Sequence, residues 1–334
     1  MLERFLLLWL VASSSVAYAW PAITARLPSQ LGWLGDPFIA SKPVLPGLIT
    51  LTMFCIGLML PRDEVAQVLR RWPTVFGGTA IQYTAMPLFA FMMGKALGLS
   101  GPYFIGIVMV GCVPGAMASN VLTLNARGNT SYSVSLTTVA TLLSPLAVPA
   151  VLAVALSRDE AVDTAVLQRA SFMLLWTVVL PVLTGHGLSR LVPGLEQHAR
   201  RYGAIAANLA ILWIIAVVVG LNREQLAQLR PDLLVALLGV NALGYTAGYF
   251  GGWGLRLPEP MRRALTLEVG MQNAGLGATL ATQLFPDDTS VAIAPAMYTF
   301  GCMLTGTVLA RVWAGRHQRA EAGEDVAAGK ADAD

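Results

Sequence analysis

The sequence predicts an all-α membrane protein with ten transmembrane helices, arranged as a five-plus-five inverted repeat. The first observation is composition, because hydrophobic residues make up 55% of the 334 residues and charged residues only 12%. Soluble domains carry about 25% charged residues. The second is the mean hydropathy of +0.62, which a water-exposed surface would not support. The third is a set of apolar stretches near the length of about 20 residues that a span needs. The ten stretches lie near residues 5–22, 43–60, 73–98, 102–125, 131–156, 167–190, 202–222, 232–255, 260–285 and 289–313.

The distribution of basic residues predicts the orientation of these spans. With the N-terminus inside, the inner segments hold 15 of the 22 Lys and Arg residues and the outer segments hold 7. Positively charged loops are retained on the cytoplasmic side of a membrane. We therefore predict that both termini are cytoplasmic and that the chain lies in the cell inner (plasma) membrane.

The most polar connector, residues 157–165, divides the spans into two halves. An odd number of spans per half gives the second half the opposite orientation, which is the arithmetic of an inverted repeat. We predict a single transmembrane domain, residues 1–316, with one repeat at about 1–156 and the other at about 166–316. The Ala-rich, charged segment 317–334 is predicted to be a disordered cytoplasmic tail.

The first and third spans each have one feature that bears on the prediction. The start of the first span, residues 1–19, also resembles a cleavable signal peptide, so its removal remains an open alternative. The third span contains Gln82, which is followed by Pro87. A buried amide needs hydrogen-bond partners, although one glutamine alone does not decide what those partners are.

The fourth span is interrupted near its middle by Pro114 and Gly115. Proline removes a backbone donor, and glycine weakens the helix further. Lipid offers no hydrogen bonds, so an unwound backbone survives only inside protein or beside a water-filled cavity. The polar residues Ser119, Asn120 and Thr123 follow directly. The alternative is a structural kink whose polar side chains bond neighbouring helices.

The fifth span adds two hydroxyl side chains, Ser133 and Thr137. They are four residues apart and therefore share one face of a helix. A site formed with the neighbouring broken span is one interpretation of this pair. The other is that both hydroxyls bond back to the preceding turn, as is frequent in membrane helices.

The ninth span repeats the interruption of the fourth. Glu268 is the only charge between residues 265 and 285, and Gly270, Gln272 and Asn273 follow it. The same span of each half is thus broken and carries polar side chains at the break. Unwound carbonyls can bind a cation, and the N-terminus of the following half-helix can bind an anion.

Glu268 is the most specific single residue in the chain. A charged side chain at mid-membrane costs at least about 2.5–3.5 kcal/mol on insertion scales. No Lys or Arg lies at comparable depth in any predicted span. A bound cation or a proton can compensate the charge, and the spacing does not choose between Na⁺ and H⁺. A permanently protonated structural carboxyl is the third alternative.

Several other function classes are disfavoured. The three cysteines and three histidines are scattered, so no metal cluster is predicted. There is no basic stripe with interleaved aromatics, which argues against nucleic-acid binding. Phosphate-binding glycine motifs are absent, so neither an enzymatic cofactor nor ATP-driven transport is predicted. An intramembrane enzyme would need a paired nucleophile and base, and Ser119 has no His or Lys nearby in sequence.

Four segments resemble the bile acid:sodium symporter family. They are MFCIGLML (53–60), IQYTAMP (81–87), VPGAMASNVLTLNARGNTSYSVSLTTVATLLSP (113–145) and EVGMQNAGLGATLATQLF (268–285). The resemblance implies ten helices in a panel and a core domain, with two broken helices crossing in the core. It also implies symport of a small organic anion by alternating access, with two Na⁺ as coupling ions.

The resemblance carries two sodium sites onto matching positions of this chain. The first would use the side chains of Ser119, Asn120, Ser133, Thr137 and Glu268. The second would use the side chains of Gln82, Glu268 and Gln272 and the backbone carbonyls of Val269 and Met271.

Candidate substrate-binding residues are Met117 and Asn273, since each follows a helix break. The family often has Pro-Gly-Gly and then a polar residue where this chain has Pro114-Gly115-Ala116-Met117, and a His-Asn pair where it has Cys302-Met303. These apolar departures favour a small carboxylate of the pantoate type over a bile acid. The expected partners are this anion, sodium and lipid, with no obligate protein partner. A proton-coupled carrier that uses Glu268 is the alternative within transport.

Overall fold

The computed structural model describes residues 5–25, 35–156, 163–192, 194–228 and 230–331, and its regular elements in these ranges are all helices. The predicted all-α class is therefore confirmed. The α-helices are α1 Leu6–Thr24, α2 Pro37–Ala40, α3 Leu45–Met59, α4 Glu64–Arg70, α5 Trp72–Ala96, α6 Gly101–Cys112, α7 Ala118–Asn125, α8 Thr130–Ala155, α9 Thr164–Leu174, α10 Leu180–Leu191, α11 Leu195–His198, α12 Ala204–Leu221, α13 Arg223–Ala227, α14 Pro231–Gly254, α15 Glu259–Gly270, α16 Ala274–Leu284 and α17 Ile293–Ala331.

Short irregular helices extend several of these elements. Single π-helical turns, Leu175–Val179 and Ala199–Gly203, join α9 to α10 and α11 to α12. The 3₁₀ turns Lys42–Val44 and Thr289–Ala292 lead into α3 and α17. Each of these turns joins two helices or extends one. A predicted span can therefore be continuous although its hydrogen-bond pattern is not α-helical throughout.

Seven helices of the described chain are long and apolar enough to cross a membrane. They correspond to seven of the ten predicted spans. The fourth and ninth predicted spans are each divided into two short helices, and the third, α5, includes the polar Gln82. The count of ten spans therefore remains a prediction.

Two groups of helices are distinguished by how they pack. We call α1, α3, α9, α10 and α12 the panel group, because α3 packs on α10 and α12 and α12 packs on α1. We call α5 to α8 and α14 to α17 the crossing group, in which α14 packs on α15 and α5, and α5 packs on α6 and α8. Contacts between the groups include those of α9 with α8 and of α16 with α3 and α12.

Polar caps set the ends of two long helices. Asn129 accepts a hydrogen bond from the Tyr132 backbone N–H at 2.9 Å and so begins α8. Asp163 accepts one from the Val166 N–H at 2.8 Å and begins α9. Such side chains satisfy N–H groups that have no partner inside the helix. Asp163 lies within the predicted polar connector, residues 157–165, of which residues 157–162 lie outside the described residues.

The short helix α4 is held on α8 by polar side chains. Glu64 is 2% exposed and accepts a hydrogen bond from the Ser135 hydroxyl at 2.7 Å. One turn later, Gln67 accepts a hydrogen bond from Ser131. The outer side of α4 is apolar, with Val65 and Leu69 exposed. The helix is therefore polar toward the protein and apolar outside, as suits a membrane interface.

The last helix differs from the sequence prediction. Helix α17 runs to Ala331 and includes most of the segment 317–334 that was predicted to be disordered. Six of the 18 residues of this segment are Ala, the strongest helix former. The sequence prediction of disorder rests on the absence of an apolar period. The helix propensity of the alanines nevertheless allows α17 to continue into this segment.

Candidate functional site

The two broken spans cross at their breaks and are joined there through the backbone. Between α6 and α7, and between α15 and α16, the extended residues Gly115 and Gln272 form an isolated antiparallel bridge. The Ala116 N–H donates to the Met271 carbonyl at 2.7 Å, and the Asn273 N–H donates to the Pro114 carbonyl at 2.8 Å. Each break thus supplies the hydrogen bonds that the other break lacks, which explains how unwound backbone survives at membrane depth.

Glu268 lies at this crossing and is fully buried, with 0% exposure. The Ser119 hydroxyl from α7 donates to one carboxylate oxygen at 2.5 Å, and the Thr137 hydroxyl from α8 donates to the other at 2.7 Å. Within the described residues, no Lys, Arg or His forms an ion pair with it. The structure thus brings together three of the residues that the resemblance assigned to the first sodium site, and sodium binding there stays a prediction.

The carboxylate also rests against the backbone of the opposite break. A Cβ atom added at Gly115 would overlap Glu268 Oε1 and lie 2.6 Å from Glu268 Cδ. No side chain larger than glycine fits there without moving the carboxylate. Gly115 therefore does more than weaken the fourth span, because it leaves the space that Glu268 occupies.

The remaining residues of the first predicted sodium site lie beside this pair. Thr137 Oγ1 is 3.5 Å from Asn120 Oδ1, and the Ser133 hydroxyl is fully buried. Thr123, which was noted in the sequence but not assigned to the site, donates to Ser133 at 3.3 Å. The spacing could have identified it, because Ser119 and Thr123 are four residues apart and share a face of α7.

The residues of the second predicted sodium site are linked in a chain of hydrogen bonds. Gln82 on α5 donates to Gln272 Oε1 at 3.5 Å, and Gln272 Nε2 donates to the Val269 carbonyl at 2.8 Å. The Met271 carbonyl accepts from the opposite break. Because a carbonyl oxygen has two lone pairs, the Val269 and Met271 carbonyls each keep one acceptor position.

The two candidate substrate residues are half-buried at the crossing. Met117 is the residue before α7, and Asn273 is the residue before α16. Asn273 has a structural role that the sequence prediction missed, since its Oδ1 accepts from the Leu276 N–H at 3.1 Å and caps α16. An Asn at the residue before a helix is a known capping signal, and it was available in the sequence.

The donor set at the crossing favours a hard cation over a transition metal. Carboxylate, hydroxyl, amide and carbonyl oxygens surround the breaks, and unwound carbonyls of this kind coordinate Na⁺ in secondary transporters. Among the described residues, no group of three or more His, Cys, Asp or Glu side chains is placed to hold a metal ion.

The sequence profile of the Sodium Bile acid symporter family matches residues 46–229. This chain belongs to that family. The resemblance predicted from the four motifs is thus confirmed, and the chain is a membrane protein of a sodium-dependent symporter family. It is 30% identical to the Uncharacterized sodium-dependent transporter YocS of Bacillus subtilis, over 95% of this chain and 92% of that protein.

Plant and animal members of the symporter family match as well. The Probable sodium/metabolite cotransporter BASS1, chloroplastic, of Arabidopsis thaliana is 31% identical over 86% of this chain and 69% of its own length. The Ileal sodium/bile acid cotransporter of Oryctolagus cuniculus is 30% identical over 78% of this chain and 76% of its own length. These relatives differ in the substrates that their names give, so they do not assign one to this chain.

One solved structure shares the fold at low sequence identity. The sodium proton antiporter MjNhaP1 from Methanocaldococcus jannaschii aligns with a TM-score of 0.55 and 13% identity, over 94% of this chain and 96% of that one. At this identity the likeness concerns the fold alone. It places the symporter-family chain in a helical architecture that a sodium-handling membrane protein also has.

Proposed function

We propose that this chain couples sodium entry to the uptake of a small organic anion by alternating access in the plasma membrane. The observation that carries the proposal is the Glu268 carboxylate, which is fully buried and is contacted by two hydroxyl groups. A buried charge without an opposite charge is strongly destabilising. A sodium ion beside Glu268 supplies that charge, and each neighbouring side chain offers an oxygen ligand.

Two ions fit two groups of oxygen atoms that share Glu268. The first ion would bind on the side of α7 and α8, next to Ser119, Asn120, Ser133 and Thr137. The second would bind on the side of α5 and the ninth-span break. For the second ion, the Gln272 amide must turn so that its oxygen faces the ion, because its nitrogen now donates to the Val269 carbonyl.

The unequal covering of the two half-helices supports alternating access. Helix α16 packs against α3, α9 and α12 of the panel group, and ten of its eleven residues are buried. Helix α7, which occupies the same position in the other predicted repeat, packs mainly on α8, α15 and α17 and exposes Val121 and Leu124. With the predicted topology, this less covered half-helix lies in the cytoplasmic half of the membrane. The alternate state would cover α7 and uncover α16.

The substrate is proposed to bind where Met117 and Asn273 face the two half-helix N-termini. Both positions lie at the crossing and are half-buried, so they remain partly accessible to a ligand. Half-helix N-termini stabilise negative charge. The apolar side chains of Ala116 and Met117 leave few polar partners for a large hydroxylated ligand. A small carboxylate of the pantoate type therefore suits this site better than a bile acid.

Uptake into proteoliposomes tests this function directly. We expect a panel of labelled carboxylates that includes pantoate and a bile acid to yield a substrate whose uptake requires an inward sodium gradient. Glu268→Gln should abolish that uptake, because it removes the charge that both ions share. Glu64→Gln is the matched control, since it changes another buried carboxylate that lies away from the crossing.

The same assay separates sodium coupling from the proton-coupled alternative. Glu268 is the group that would titrate in a proton-coupled carrier, and its surroundings of hydroxyl donors would also accommodate a protonated carboxyl. Uptake that is driven by a proton gradient in sodium-free buffer would reject the proposal. Normal sodium-driven uptake by Glu268→Gln would reject the role of Glu268 in coupling.

A further inference from the structure

The backbone carbonyl of Gly270, the last residue of α15, accepts hydrogen bonds from side chains on two other helices. Asn241 Nδ2 on α14 donates to it at 2.8 Å, and the Tyr298 hydroxyl on α17 donates to it at 2.8 Å. Two donors saturate a carbonyl oxygen. The Gly270 carbonyl therefore has no acceptor position left for an ion. The neighbouring carbonyls of Val269 and Met271 are those assigned to the second proposed sodium site.

A second layer fixes the orientation of the Asn241 amide. The Thr305 hydroxyl donates to Asn241 Oδ1 at 2.7 Å, so the amide nitrogen is left to face Gly270. The Tyr245 hydroxyl lies 3.1 Å from Thr305 Oγ1 and supports it from α14. Asn241 is 2% exposed and Tyr298 is 1% exposed. Buried donors of this kind are costly to leave unpaired, so the network favours a single arrangement.

Close packing against Tyr245 also fixes the end of α15. A Cβ atom added at Gly270 would lie 2.9 Å from Tyr245 Cγ and overlap other ring atoms. Only glycine allows the ring of Tyr245 to cover the end of α15. The end of the helix is thus defined from one side by packing and by hydrogen bonds to its final carbonyl.

We propose that Asn241, Tyr298 and Thr305 are positioning residues for the sodium site, although none of them contacts the proposed ions. Asn241 and Tyr298 saturate the Gly270 carbonyl and so fix the last turn of α15, and Thr305 acts through the Asn241 amide. That turn carries Glu268 and the Val269 carbonyl, which the ions require. This inference rests on the sodium coupling proposed above.

The experiment measures sodium binding without a substrate. The thermal unfolding midpoint of the purified chain in detergent is followed as NaCl replaces choline chloride at constant ionic strength, because a bound ion stabilises the folded state. The test variants are Asn241→Ala, Tyr298→Phe and Thr305→Val. Thr305→Ser retains the hydroxyl and should restore the sodium response.

The outer end of α12 offers a matched control pair. Asn222 Nδ2 donates to the Val218 carbonyl at 2.8 Å, and the Thr289 hydroxyl donates to Asn222 Oδ1 at 3.0 Å. These are the same groups at similar distances, and Asn222 is also fully buried. Asn222→Ala and Thr289→Val should lower the midpoint in choline chloride without changing the sodium concentration that gives half of the stabilisation.

The three test variants should raise that half-maximal sodium concentration roughly three- to tenfold, the range expected for one lost hydrogen bond. If Asn241→Ala does not fold, Tyr298→Phe and the Thr305 pair decide the question. An unchanged sodium response in these variants, or an equal change in the two controls, would overturn the positioning role. If the unsubstituted chain is not stabilised by sodium relative to choline, the proposed sodium coupling itself fails.

Discussion

Replacing Gly115 by alanine changes the space around Glu268, whose side chain supplies the three atoms nearest to the added Cβ. The added Cβ would lie 2.6 Å from Glu268 Cδ, whereas ordinary van der Waals contact begins at 3.4 Å. The carboxyl group must therefore move by at least about 0.8 Å, the difference between these distances, because Oε1 lies closer still. Its hydrogen bonds to Ser119 and Thr137 are now 2.5 and 2.7 Å long. A movement of this size brings at least one of them close to the limit of a hydrogen bond.

The expected result follows from the strength of those bonds. A hydrogen bond to a charged group contributes about 1.5–3 kcal/mol, so Gly115→Ala should weaken sodium binding by roughly tenfold or more. The sodium dependence of thermal stability measures this. Gly275→Ala is the matched control, because its added Cβ meets nothing closer than 3.8 Å. If Gly115→Ala retains the half-maximal sodium concentration of the unsubstituted chain, the carboxylate position described here does not determine cation binding.

Three further predictions follow from the site, from the buried carboxylate of α4 and from the topology. Thr137→Ala should raise the half-maximal sodium concentration for uptake roughly tenfold. Asn273→Ser keeps a capping oxygen and should weaken carboxylate uptake even at saturating sodium. If saturating sodium restores uptake by Asn273→Ser but not by Thr137→Ala, the anion does not bind at Asn273. Burial raises the pKa of the Glu64 carboxyl, against the smaller opposing effect of its hydrogen bond. Its protonated form is thus favoured by folding, so its contribution is present at low pH and lost as the pH rises through the raised pKa. Glu64→Gln should flatten the pH dependence of the unfolding midpoint, and an unchanged slope would contradict this assignment. Asp163→Cys in a cysteine-free background should react with an external reagent in intact cells, and labelling only after permeabilisation would reverse the predicted topology.

The sequence identified the residues of the crossing because they differ in chemical type from the apolar residues around them. A charge, two helix breaks and polar side chains in an apolar background identify candidate residues without knowledge of the neighbouring helices. Glu268, Ser119 and Thr137 come together as the motifs predicted. The pairing of Gly115 with Gln272 was not predicted, because no periodicity states which two backbones meet.

The supporting residues were missed for the same reason. Asn241 and Tyr298 lie in helices that have no break, so their sequence context resembles ordinary interhelical hydrogen bonding. Glu64 lies in a short loop helix, where a carboxylate is normally solvated. Only the packing of α4 on α8 reveals that it is buried. Tertiary contacts of this kind carry no local signal.

The two backbone hydrogen bonds at the crossing have a mechanical consequence. Because the Ala116 and Asn273 N–H groups are each bonded to the opposite break, the half-helices α7 and α16 cannot separate without leaving buried donors unpaired. We therefore expect the crossing to move as one rigid body in the proposed transport cycle, with the displacement at the boundary between this body and the panel group. Spin labels placed on α7 and α16 should keep one fixed separation through the cycle. A label on α3 paired with one on α16 should report two distances.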